Sequence, residues 1–227
     1  LSWPRLGSEV PSLVSLALLV DLWSGLLPPL TRLRRLRRVF SCSQDGYSLA
    51  TLVQRCEDLT ADVGSNVPML FLVATDCCGV LGGYAPLLWS FTGASFAPRV
   101  AGFEDSFVFV APREPPQKEL GPMQTLGSMQ VFPWSGRNEL LLQLCNGLLF
   151  GGDLPAISID DELNHGASSV CETFGSPPLT PPSAESLPHE GLRGAAASLS
   201  PSRREPSAQS PVNFKVSAIE VFAFVEV

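Results

Sequence analysis

The chain has 227 residues, of which 45% are hydrophobic and only 16% charged, with a net charge of −7. That length and apolar share suffice for one domain with a packed core, with or without tails. The acidic balance excludes general nucleic-acid binding, which needs a basic face to displace phosphate counterions, and leaves specific basic protein partners open.

The sequence opens at Leu1 rather than Met and reads as either a fragment or an incomplete gene model, so a targeting signal upstream would lie outside it. Residues 1–25 form an apolar lead-in. Its run Leu13–Val20 is broken by Asp21 and by Pro28 and Pro29, short of the roughly 20 apolar residues of a spanning helix. A buried or partner-facing helix is expected there, without stable membrane insertion. Next, Leu30–Phe40 carries Arg32, Arg34, Arg35, Arg37 and Arg38. A helix over this stretch gathers Leu30, Leu33 and Leu36 on one side. Such a helix either docks through its leucines with a solvated arginine face, or touches nucleic acid or anionic lipid. The spacing of Leu49, Leu52, Val53 and Cys56 predicts a helix over Ser48–Leu59, capped by Asp45 or Ser48.

Short segments rich in Val, Leu and Phe and bounded by Gly, Asp or Pro then predict strands at Met69–Ala74, Gly79–Ala85, Ser106–Ala111, Gln130–Pro133, Leu140–Cys145 and Ala156–Ile159. Asp76-Cys-Cys-Gly79 joins the first two as a hairpin turn. Residues 112–128 read as a surface loop. Eight of the 21 prolines fall within 177–211, so 181–211 is expected to be a disordered insertion, unable to bury enough apolar surface to offset its ordering entropy. Alternation returns in the last residues, 212–227, as a terminal strand that closes the sheet. Many short strands with few helices point to an antiparallel α+β or sandwich architecture.

The densest polar cluster is Asp160-Asp-Glu-Leu-Asn-His-Gly166, followed by Cys171-Glu-Thr-Phe-Gly175. A helical turn would bring Glu162 and His165 together for metal or acid–base work. A turn whose Asp and Asn side chains bind backbone donors is the plainer reading. Cys171 with His165 would make a thiol nucleophile if the two met. The six cysteines, Cys42, Cys56, Cys77, Cys78, Cys145 and Cys171, are too few for a disulfide framework, and free thiols in a reducing, intracellular setting are expected. Adjacent Cys77 and Cys78 cannot readily bridge each other, although either they or Cys171 could serve as a redox-sensing thiol.

Taken in order, these stretches resemble the TLDc domain. Asp45-Gly-Tyr-Ser-Leu49 with Leu52, Arg55 and Cys56 is similar to its opening. Met69–Ala74, Gly79-Val80, Gly82, Tyr84-Ala85-Pro86 and Trp89 resemble its hairpin, and Glu104-Asp-Ser-Phe-Val-Phe109 its following strand. Val131-Phe-Pro-Trp134 with Asn138-Glu139 follows. Asp160–Leu179, with Asn164-His-Gly166 and Cys171-Glu-Thr-Phe-Gly175, is the most specific block, and Phe214–Phe224 resembles the closing strand. The pattern departs at Phe103, at the short Gly151-Gly152 run and at Ser158.

The resemblance spans about residues 26 to 227. It implies an antiparallel β-sandwich core flanked by short helices, and a role in resistance to oxidative stress. In several members it goes with binding to the vacuolar proton ATPase. It implies no established reaction and no cofactor or metal. Carried over by position, Asp105, Asp160, Glu162, His165, Cys171 and Glu172 are the expected partner-reading surface. A non-enzymatic interaction module is therefore expected. The rivals are a thiol- or metal-dependent antioxidant enzyme through Cys171, His165 and Glu162, and a membrane-surface adaptor through Leu13–Arg38.

Overall fold

The computed structural model describes residues 11–13, 16–64, 67–86, 104–111, 129–138, 142–144, 147–181 and 210–226. The expected loop at 112–128, and the expected insertion apart from its extreme ends, fall outside them.

Among the described residues, the apolar lead-in is helical from Leu16 onward. Helix α1 (Leu16–Asp21) runs into a π-helical turn (Leu22–Leu26), and Pro28 separates that turn from α2 (Pro29–Arg32). Proline suits a helix start because its missing N–H has no intrahelical partner there. Leu19, Leu22, Trp23 and Leu27 are buried against Leu36, Tyr84, Phe107 and Phe224, with the Trp23 and Phe224 ring centroids 5.5 Å apart.

The arginine-rich stretch differs from the expected helix. After α2 it extends into strand β1 (Arg35–Ser41), which pairs antiparallel with the C-terminal strand. Leu36 and Phe40 are buried, whereas Arg35 and Arg37 are exposed. Pairing with a central strand outweighs the helical leucine spacing, since tertiary context routinely overrides local preference.

Helix α3 (Cys42–Asp45) leads to α4 (Leu49–Val63). The Ser48 hydroxyl caps α4 by accepting from the Thr51 N–H, and Leu49, Leu52, Cys56 and Leu59 form its buried stripe. Gly64 ends it at φ 87°, a conformation other residues adopt only with strain.

The remaining strands are β2 (Met69–Thr75), β3 (Val80–Ala85), β4 (Phe107–Ala111), β5 (Gln130–Pro133), β6 (Leu142–Leu144), β7 (Gly147–Phe150), β8 (Ile157–Asp160), β9 (His165–Ser168) and β10 (Val212–Val225). Among the described residues every pairing is antiparallel, along one hydrogen-bonded path β5-β4-β3-β2-β10-β9-β8-β7-β6, and β1 pairs with β10 off that path. Strand β10 makes the path continuous. Its residues Val212–Lys215 pair with β9, and from Val216 onward it pairs with β2, with an irregularity inside that second pairing between Val216 and Ala218. The molecule is thus mostly antiparallel sheet with a few short helices. The hydrogen bonds describe one open sheet rather than two separate layers.

Strands β2 and β10 are buried on both sides. Met69, Phe71 and Val73 face the core that holds α4, while Leu70 and Leu72 face the core that holds α1. Ile219, Val221 and Ala223 divide from Phe222 and Phe224 in the same way. This follows from the two-residue period of a strand and explains why both read as continuous apolar runs. Among the described residues, no helix is long and apolar enough to cross a membrane.

Candidate functional site: the β8–β9 turn and its cleft

Asp160 ends β8 and His165 opens β9, and the chain reverses between them through a turn whose Leu163 sits at φ 56°. A left-handed leucine costs roughly 1–2 kcal/mol, so the surroundings must hold it. Leu163 is fully buried in the core, which anchors the turn from below. The Asp160 carboxylate accepts the Asn164 N–H at 2.8 Å and the His165 N–H at 3.2 Å. From the sides, the Asp161 carbonyl accepts the Leu49 N–H of α4, and the Asn164 carbonyl accepts the Val216 N–H of β10. The expected Glu162–His165 helical pair does not form. His165 Nδ1 lies 3.3 Å from Asp160 Oδ2 instead, because a strand rather than a helix carries it. Asp161, Glu162 and His165 are left exposed on a fixed backbone.

Beside this turn opens a cleft of about 650 Å³, lined by Asp76, Cys77, Asp160, His165, Asn213 and Lys215 among others. Asp76 holds the β2–β3 turn against β10 by two bonds: its N–H donates to the Lys215 carbonyl, and its carboxylate accepts the Lys215 N–H.

The other expected residues lie elsewhere. Asp105 is exposed in the turn that enters β4. Exposed Glu172 lies 3.9 Å from Arg137, and its carbonyl accepts the Ser135 hydroxyl. Those two loops converge on one connection, since Trp134 donates to the Ser106 carbonyl and Ser135 to the Thr173 carbonyl. Cys171 does not belong to a partner-reading surface. It is 1% exposed and forms an isolated bridge with Ser176. Its sulfur packs on Gly151, just past the end of β7.

This placement separates Cys171 from His165. Strand β7 pairs Gly147 with Asp160 and Phe150 with Ile157, so Gly151 and Cys171 lie at the Ile157 end of β8 and His165 at the Asp160 end. The two are about 10 Å apart along the strand at 3.3 Å per residue, and no thiol–imidazole pair forms.

Sequence reasoning missed Asp161 as an exposed acid, and it missed the contributions of Cys77, Asn213 and Lys215 to the cleft. Only the β10 register brings the last two there, 137 residues beyond the hairpin turn in the case of Asn213 counted from Asp76. Burial raises the Cys42 thiol to about 11 and pushes Cys56 higher still. Among the described residues, no three or more His, Cys, Asp or Glu side chains are grouped to hold a metal ion.

The curated protein named Oxidation resistance protein 1, from Podospora anserina, is 27% identical over 209 residues, covering 78% of this chain and 54% of its own length. The chain therefore spans about half the length of that relative. The TLDc domain model matches residues 12–225, from the segment that precedes α1 to the last residue of β10. That match takes in α1, the hairpin, the fixed turn after β8 and the closing strand together, and with it the chain belongs to the TLDc domain family.

Proposed function

We propose that this chain is an interaction module acting in resistance to oxidative stress, that it works by binding rather than by catalysis, and that its partner is the vacuolar proton ATPase. The observation that carries the reading is the β8–β9 turn. Asp161 and Glu162 stand exposed on a backbone held by Asp160, by α4 and by β10. A charged surface ordered before encounter loses little conformational freedom on binding, and its charge steers a basic partner toward it. Asp105 and Glu172 supply a second acidic stretch on the loops joined through Ser135. The name of the Podospora relative supports the stress role, and the family resemblance supports the pump. We also read the path through β10 as a sandwich that folds over its own core. The Phe71 and Phe150 rings, with centroids 5.5 Å apart, support that reading by joining β2 to β7.

The test adds purified chain to membranes carrying assembled vacuolar proton ATPase and follows ATP hydrolysis and release of the peripheral sector. Asp161→Asn with Glu162→Gln is the control, chosen because Asp160 holds the turn and its loss would confound binding with folding. Release or inhibition that the control loses is expected. No effect by the native chain removes the pump from the account.

A second reading is favoured by Leu30 and Leu33, which are 76% and 72% exposed beside Arg32 and Arg35. Apolar side chains ringed by cations suit an anionic membrane surface. Binding to phosphatidylserine vesicles that Leu30→Ser with Leu33→Ser abolishes would favour this adaptor role.

A further inference from the structure

The hairpin turn between β2 and β3 places two adjacent thiols on one hydroxyl. Cys78 Sγ lies 3.1 Å from Thr75 Oγ1 and Cys77 Sγ lies 3.9 Å from the same oxygen. The Cys78 N–H also donates to that hydroxyl, and the Thr75 hydroxyl itself donates to the Gly79 carbonyl. The turn is thereby fixed with both sulfurs converging. Cys77 is exposed and opens on the cleft beside Asp160 and His165, while Cys78 is half-buried against the α4 core.

Two neighbouring cysteines are poorly placed for a direct disulfide. Consecutive Cα atoms are about 3.8 Å apart, below the roughly 4.4–6.8 Å that a disulfide usually spans. One soft atom held between the sulfurs lengthens the bridge and relieves that constraint. Soft thiolate ligands select soft centres, and a centre of low coordination number needs no third protein ligand.

We propose that Cys77 and Cys78 form a dithiol site that chelates trivalent arsenic. The reaction with an organoarsenic oxide balances without any oxidant or reductant. Both S–H bonds break, two As–S bonds form, and the oxide oxygen leaves with the two protons as water. The third substituent of arsenic points into the cleft. Burial raises the Cys78 thiol to about 11, which slows reagents that require a thiolate, whereas the arsenic oxide itself takes up the thiol proton. The site is independent of any partner at the acidic turn and is tested without one.

The probe is phenylarsine oxide, added to the full chain in excess glutathione, with intact-mass measurement and retention on immobilised phenylarsine oxide as readouts. The native chain is expected to carry one arsenical per chain, with loss of one water, and to resist the monothiol while yielding to 2,3-dimercaptopropanol. Cys77→Ser and Cys78→Ser should each lower retention roughly 100-fold, because the second sulfur joins intramolecularly. Cys171→Ser, a change in the core, should leave it unchanged. Cys77 is exposed at a turn tip, so its variant is expected to melt with the native chain and gives a folded comparison. Retention unaltered by Cys77→Ser, or an adduct mapped to another cysteine, would overturn the proposal.

Discussion

Replacing Gly166 by alanine tests whether the Asn-His-Gly block is structural. Gly166 lies opposite Phe214 in the β9–β10 ladder, and the Phe214 ring folds across the place a side chain would occupy. A Cβ there would meet Phe214 Cζ at 2.4 Å, Cε2 at 2.5 Å and the Ser158 carbonyl oxygen at 2.6 Å. Phe214 is only 5% exposed and Ser158 is fixed in β8, so neither side can yield freely. Overpacking of this kind costs about 1–3 kcal/mol. For a domain of this size a loss of about 2 kcal/mol lowers Tm by about 4–8 °C. Gly25 is the matched comparison. It is exposed, and a methyl group there would have nothing within 4 Å, so Gly25→Ala should be neutral or stabilising by about 0.4–1 kcal/mol. Thermal unfolding followed by circular dichroism reads both. Adding Phe214→Leu to Gly166→Ala should return part of the loss, since the smaller side chain clears the ring contacts but not the carbonyl. A Gly166→Ala chain as stable as the native one would refute the clamp and return the block to a purely functional role.

Further expectations follow from buried polar groups. Glu220 is 2% exposed and accepts the Ser12 N–H and hydroxyl and the Leu13 N–H, so Glu220→Gln should cost about 1–3 kcal/mol and speed amide exchange at residues 12 and 13. Unchanged exchange there would count against the latch. The buried Thr173 hydroxyl donates to Asn138 Oδ1 and accepts the Gly152 N–H. Thr173→Val should therefore destabilise by about 1–3 kcal/mol in denaturant unfolding, and an unaltered midpoint would contradict this. Burial raises Cys42 and Cys78 to about 11 and Tyr84 to about 12, each above its ordinary value. The folded chain then holds protons that the unfolded chain releases, so stability is complete below about pH 9 and falls as pH rises toward 12. Tyr84→Phe should flatten the upper part of that fall, and a pH-independent Tm between 9 and 12 would refute the assignment.

The parts legible in the sequence are those whose signal is local. Leu49, Leu52, Cys56 and Leu59 repeat at helical spacing, and Ser48 stands where a cap belongs, so α4 is readable without its neighbours. Met69–Ala74 and the final strand are equally plain, as apolar runs closed by turn residues. The arginine-rich stretch misleads because Leu30, Leu33 and Leu36 satisfy a helix while Leu36 and Phe40 also satisfy β1, and only pairing with β10 decides. Strand β9, His165-Gly-Ala-Ser168, has no apolar pattern of its own and exists through β8 and β10. Glu220 reads as a surface residue because its donors lie at the other end of the chain. The acidic turn is visible as a cluster, but its backbone restraints come from α4 and β10 and leave no local mark.

Recognition of a protein by the acidic turn is tested by measuring binding of the purified chain to the isolated peripheral sector of the vacuolar proton ATPase at low and at physiological salt. Saturable binding that weakens with salt and falls about tenfold in the Asp161→Asn, Glu162→Gln chain is expected. Absence of binding, or binding indifferent to both salt and those substitutions, would contradict it.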